Sequence, residues 1–160
     1  MINPFTIMKP SIVIVLLSVL LGMSCSKDRT TTVNYWKYAD SVHAIRYNVR
    51  HSDFGLEILS VRDNAGYTAR NHYMDLMFKK FPTANGVYKV VAWPQQADEM
   101  RIGMYGYAAG DNYVSADGSG TVDVRMNNNK AFITFRNTWM HALAYGRTDS
   151  VLLTGTIAEY

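Results

Sequence analysis

The chain predicts an all-β domain, and three observations carry that expectation. Apolar and polar residues alternate in many short runs, the period-2 signature of strands with one buried face. The runs close on turn signals built from Asn, Asp, Gly and Pro. No window sustains the 3.6-residue apolar period of a helix, and the aromatic content is high, led by 11 tyrosines. With 48% hydrophobic and 18% charged residues, the chain has the makeup of a folded body with a proper core, not of a disordered tail.

The first element precedes that body. An apolar run, Ile12 to Met23, follows a short N-terminus with one positive charge, Lys9. At about a dozen residues it is short for a membrane span but fits the hydrophobic region of an export signal. It ends at Cys25, the single cysteine, after Gly22-Met23-Ser24, and Ser26-Lys27-Asp28-Arg29-Thr30 follows at once. This segment resembles the signal of bacterial lipoproteins, and the Cys-Ser-Lys-Asp run is similar to that of lipoproteins of the Bacteroidetes group. The resemblance implies a signal peptide over 1–24, removed to leave Cys25 lipidated, and a polar tether to residue 32. Residues 33–160 are then the domain. The box departs from the commonest lipoprotein form, which has Leu three residues before the cysteine, where Gly22 stands. A mature chain without another cysteine holds no disulfide, so its stability must come from its core.

Within the domain, strands are expected at Tyr35 to Ala39, Ala44 to Arg50, Leu56 to Val61 and Tyr73 to Phe78, then at Val87 to Ala92 and Met100 to Tyr107. Thr121 to Met126 and Ala131 to Arg136 are the cleanest. Val122, Val124 and Met126 share one face of the former; Ala131, Ile133 and Phe135 share one face of the latter. Asn127-Asn128-Asn129-Lys130 lies between them, and Asn tolerates the left-handed conformation of a tight turn, so the pair reads as a β-hairpin. Val151 to Ala158 is the last strand. Asp63-Asn64-Ala65-Gly66, Ala84-Asn85-Gly86 and Asp117-Gly118-Ser119-Gly120 are turn signals, and Gln95 to Glu99 is the one stretch that suggests a short helix. About eight or nine antiparallel strands make a β-sandwich or a small β-barrel, with a lipocalin-like barrel as the alternative. The flow from Phe81-Pro82-Thr83-Ala84-Asn85-Gly86-Val87-Tyr88 through Phe132-Ile133-Thr134-Phe135-Arg136-Asn137 to Leu153-Thr154-Gly155-Thr156-Ile157 is similar to the closing half of small all-β lipoprotein domains of the same bacteria. That likeness implies fold and location rather than activity.

Chemistry is sparse. The four histidines, His43, His51, His72 and His141, show no H-x-H or H-E-x-x-H spacing, so no metal site is expected and they read as strand-surface or loop-end residues. His51-Ser52-Asp53 holds the residue types of a hydrolytic triad, but neighbours in an extended chain point to opposite faces. No carboxylate pair, P-loop, G-x-S-x-G or G-x-G-x-x-G stands out, so no catalytic residue and no cofactor is expected. The net charge of +3 is spread out, without the basic stripe of a nucleic-acid binder, and no nucleic-acid partner is expected.

The aromatics are the remaining lead. Trp93, Trp139, Tyr105 and Tyr107 are the candidate ligand-binding residues, because aromatic faces stack on apolar ligands and on the C–H faces of sugars. Alternation puts Tyr105 and Tyr107 on one face, beside Gly103 and Gly106. The sequence therefore suggests a membrane-anchored envelope lipoprotein whose non-catalytic β domain binds a glycan, a lipid-like ligand or an envelope protein. The resemblance places it on the outer membrane, in the periplasmic leaflet, since only Asp28 is acidic just after Cys25. The alternative is an envelope hydrolase whose site is assembled from distant histidines and carboxylates.

Overall fold

A computed structural model describes residues 34–38, 40–63, 72–106, 112–144 and 146–160. Those residues are all-β. Their strands are β1 (Tyr35–Tyr38), β2 (Ser41–Ala44), β3 (Tyr47–Asp53), β4 (Leu56–Arg62), β5 (His72–Phe78), β6 (Gly86–Val90), β7 (Glu99–Gly106), β8 (Tyr113–Ser115), β9 (Gly120–Asn127), β10 (Lys130–Ala142) and β11 (Ser150–Ala158). No helix is present among them, so the stretch Gln95 to Glu99 is corrected. Glu99 accepts hydrogen bonds from the Gln95 and Gln96 amides (2.8 and 2.9 Å), but Glu99 and Met100 are already committed to ladders with β6 and β5. The local turn therefore cannot propagate.

The strands run β2-β1-β11-β10-β9-β6-β7-β5-β4-β3 in one sheet, with β8 bonded to both β7 and β10. That bridge closes a small barrel of five strands: β10, β9, β6, β7 and β8. β10 makes this closure because it is long. Lys130 to Phe135 pair with β9, and Met140 to Ala142 pair with β8. The pairing is antiparallel except between β6 and β7, which overlap for two residues where one strand ends and the next begins.

Burial follows the alternation read from sequence. Val122, Val124, Ala131, Ile133 and Phe135 are buried, and the β9–β10 hairpin turns through Asn128 and Asn129 at φ 50° and 63°, a two-residue turn with both central residues left-handed. One core takes side chains from nearly every strand, including fully buried Trp36, Leu59, Met74, Met100, Ile133 and Leu153. These side chains pack the core among the described residues.

The expected strand Ala44 to Arg50 is two strands. Between them the Ile45 amide bonds to Asn34 and the Arg46 amide to Arg62, so successive residues pair with opposite ends of the sheet and the chain turns a corner.

Candidate functional site

Strands β3, β4, β5 and β7 lie side by side, and their outward residues form rungs across the sheet. One rung is Tyr47, Arg62, Tyr73 and Tyr105; the next is Val49, Ser60, Asp75 and Gly103; the third is His51, Ile58, Met77 and Arg101. Asp53 and Leu56 end the series at the hairpin. Gly103 leaves the second rung without a side chain at one end, and Tyr105 bends into that gap: a Cβ at Gly103 would overlap the Tyr105 hydroxyl. Tyr105 is stacked against Tyr73 with ring centroids 4.8 Å apart.

A cleft of about 220 Å³ opens over these rungs. Its floor is apolar. Leu56, Ile58 and Met77 form a second buried cluster, separate from the main core. Tyr105, Trp93 and Phe54 supply aromatic walls, while His51, Asp53, Asp75 and Arg101 supply polar groups. A concave apolar surface with a few converging polar groups is the usual form of a small-ligand site.

Each wall is held in place. Trp93 lies in the link between β6 and β7. Glu99 binds the amides of Gln95 and Gln96 on one side of it, and Asp117 binds the Ala92 amide at 2.9 Å on the other. The Arg101 guanidinium carbon stands 5.5 Å from the Trp93 ring centroid. Phe54 and Gly55 form the two-residue turn of the β3–β4 hairpin at φ 50° and 73°, and Phe54 is 83% exposed. The Asp53 carboxylate steadies that turn by accepting the Phe54 amide at 2.9 Å.

The polar groups form a line. Ser60 Oγ donates to Asp75 Oδ1 at 2.5 Å and lies 2.9 Å from His51 Nε2. Burial pushes the Asp75 carboxyl above its ordinary value, against the pull of the Ser60 hydrogen bond and of His51 and Arg62. Burial, and then the Asp75 charge, also push the Tyr105 phenol up. Ser60 stands between acid and imidazole with its proton directed at the acid, which is not the order of a nucleophilic triad. As expected for an extended chain, His51 and Asp53 face the cleft while Ser52, between them, does not line it.

Of the four aromatic candidates, Trp93 and Tyr105 share this cleft. Trp139 does not. It stands half-exposed on the outer face of β10, across from Leu152, in a separate groove with Lys37 and Val151. Tyr107 and Cys25 lie outside the described residues. Phe54 and Arg101 were missed in the sequence. A Phe-Gly pair between two alternating runs was the available signal for Phe54, and Arg101 stood on the same face of β7 as Tyr105.

The histidines depart further from expectation. His43, read as a surface residue, is buried between the rings of Trp36 and Tyr38, with centroids 5.1 and 5.2 Å away and nearly parallel planes. Its Nδ1 is 3.1 Å from Asp63 Oδ2, and His72 Nδ1 is 3.5 Å from the same oxygen. Burial lowers the His43 pKa, an effect opposed by the Asp63 hydrogen bond, so the neutral imidazole is favoured. The trio forms because the sheet curls: β2 is one edge, and the β4–β5 hairpin lies near the other. Compared with protein-family models, with curated proteins and with solved structures, the chain matches none.

Proposed function

We propose that the chain is an envelope lipoprotein, tethered through an acylated Cys25, whose β domain binds a carbohydrate in the cleft over β3, β4, β5 and β7. The observation that carries the reading is the pairing of aromatic rings with hydrogen-bonding groups: exposed Trp93 and Phe54 and half-buried Tyr105 around Asp75, Asp53, His51 and Arg101. Aromatic faces take the C–H side of a sugar ring, and carboxylate and guanidinium groups take its hydroxyls. The volume lies below the roughly 300–1,000 Å³ of drug-sized sites, which suits a single ring or a chain end rather than a long lipid.

The test uses the full chain in detergent, titrated with soluble oligosaccharides of neutral and N-acetylated hexoses while tryptophan fluorescence is followed. A saturable change is expected, abolished by Trp93→Ala and weakened at least about tenfold by Tyr105→Ala, an order typical of an interface anchor. Trp139→Ala keeps it. Binding that survives Trp93→Ala, or no response to any sugar, overturns the reading. The tether has its own test: Cys25→Ser is expected to abolish fatty-acid labelling and membrane attachment.

The convergence of His51, Asp53 and Asp75 in one cleft favours a second reading, a hydrolase acting on the same ligand class. Release of new reducing ends by the wild type and its loss in Asp75→Asn would decide for it.

A further inference from the structure

We propose that His43, Asp63 and His72 form a binding site for a divalent transition-metal ion of the zinc type. The site is distinct from the aromatic cleft and does not rest on the carbohydrate reading. Two imidazole nitrogens and one carboxylate oxygen are the donor set of exchangeable or catalytic zinc sites, which take three protein ligands and leave a position open. One donor atom from each residue lies within 4.8 Å of the others. Two ligands each about 2.1 Å from a metal stand roughly 3.0–3.4 Å apart; the Nδ1 to Oδ2 separation of 3.1 Å for His43 falls in that range and the 3.5 Å for His72 lies just above it.

The ligands are also held ready. Asp63 Oδ1 accepts the His72 backbone amide at 3.1 Å, which turns Oδ2 toward the imidazoles. The His43 ring is clamped between Trp36 and Tyr38, and the two imidazole centroids are 4.5 Å apart. These ring contacts hold the imidazole so that Nδ1 stays aimed at Asp63. His43 Nε2 is buried without a hydrogen-bond partner, so the polar contact of the ring is made at Nδ1, the atom that faces Asp63. The Asp63 and His72 side chains are 19% and 31% exposed, so two of the three ligands reach solvent.

The experiment takes the full chain, purified in detergent and stripped with a chelator, and titrates it with Co²⁺ and then Zn²⁺. The expected result is one Co²⁺ per chain, with visible bands of a four- or five-coordinate ion that Zn²⁺ abolishes. Asp63→Asn and His72→Ala should each weaken binding at least about tenfold. His141→Ala, at an exposed position on β10, should leave it unchanged. Absence of the bands in the wild type, or wild-type affinity in both ligand variants, overturns the proposal. Should a variant fail to fold, ¹⁵N resonances of His43 and His72 in the wild type decide. They shift together on Zn²⁺ addition if these rings are the ligands, and fixed resonances exclude them.

Discussion

Phe54 holds a conformation that its side chain disfavours. At φ 50° a residue with a Cβ meets its own carbonyl, at a cost of roughly 1–2 kcal/mol, and only Gly, Asn and Asp visit the region readily. The ring gains nothing in return from the core, being 83% exposed. Strain of this kind collects at binding sites, and here it sets an aromatic ring on the rim of the cleft. Phe54→Asn should therefore raise stability by about 1 kcal/mol in urea unfolding, since it makes the Asn-Gly pair that such turns prefer. The same variant should weaken sugar binding. A variant that is neither more stable nor poorer at binding would refute the account of this turn.

Asp75 makes a pH prediction. Its carboxyl is pushed above the ordinary value of 3.8 by burial, so the native state holds the proton more tightly than the unfolded chain. The resulting stability is fully present below the unfolded value and is lost as pH rises through the raised one. Asp149 has the opposite sign: its hydrogen bond to Arg147 holds it at about 2, so its contribution is present above 3.8 and lost only in strong acid. The two windows do not overlap. The wild-type unfolding midpoint, measured against that of Asp75→Asn, should fall as pH rises from 3.8. Parallel profiles would show that Asp75 titrates normally.

At the scale of the element, β10 and β11 carry a bulge. Phe135 pairs with Gly155 and Thr138 with Leu153, so β10 has one extra residue there, and Asn137 takes φ 54°. The bulge resets the alternation: Phe135 and Thr138 both face inward although three positions separate them. Gly155 is at φ 144°, and a Cβ there would run into the backbone of Tyr35 and Trp36 on β1. Gly155→Ala should cost about 3 kcal/mol, read from the urea midpoint, because strand backbones cannot yield as a flexible side chain does. This explains what the sequence could show. The hairpin Thr121 to Arg136 was legible because each strand keeps period 2 and the Asn pair names its turn. Beyond Arg136 the bulge shifts the parity, so the rest of β10 read as noise. β8 was missed because it is three residues long, too short for a period to register, and β2 because only His43 of its four residues is buried. Trp93 and Tyr105 could be named individually as candidates, but the cleft that joins them depends on the rung order of the sheet. His43 and His72 come from separate strands that meet only through the curl of the sheet, which no local pattern encodes.

At the scale of the whole molecule, the five-strand barrel and the outer strands are stabilised by different means. The barrel closes on backbone ladders through β8. The outer strands curl until β3 reaches the end of β11, and that seam is joined by side chains. Asn48 donates to the Ala158 carbonyl at 3.1 Å, and Arg50 grips the Glu159 carboxylate with two nitrogens. Glu159 also accepts the Ala131 amide at 2.9 Å, and Arg50 lies 3.8 Å over the Phe81 ring. Charge-assisted bidentate pairs are the stronger kind of hydrogen bond, yet a seam of side chains yields more readily than a closed ladder. Hydrogen exchange should thus have two levels: amides of β7, β9 and β10 open only with global unfolding, while those of β1 and β3 open locally. Glu159→Ala should lower global stability by about 1–2 kcal/mol, the worth of a charged hydrogen-bond pair, and speed exchange in β3 by more than that loss accounts for. The barrel amides should slow or quicken only with the global term. Equal acceleration in β3 and in the barrel would mean that the sheet opens as one unit and that the seam has no independent existence.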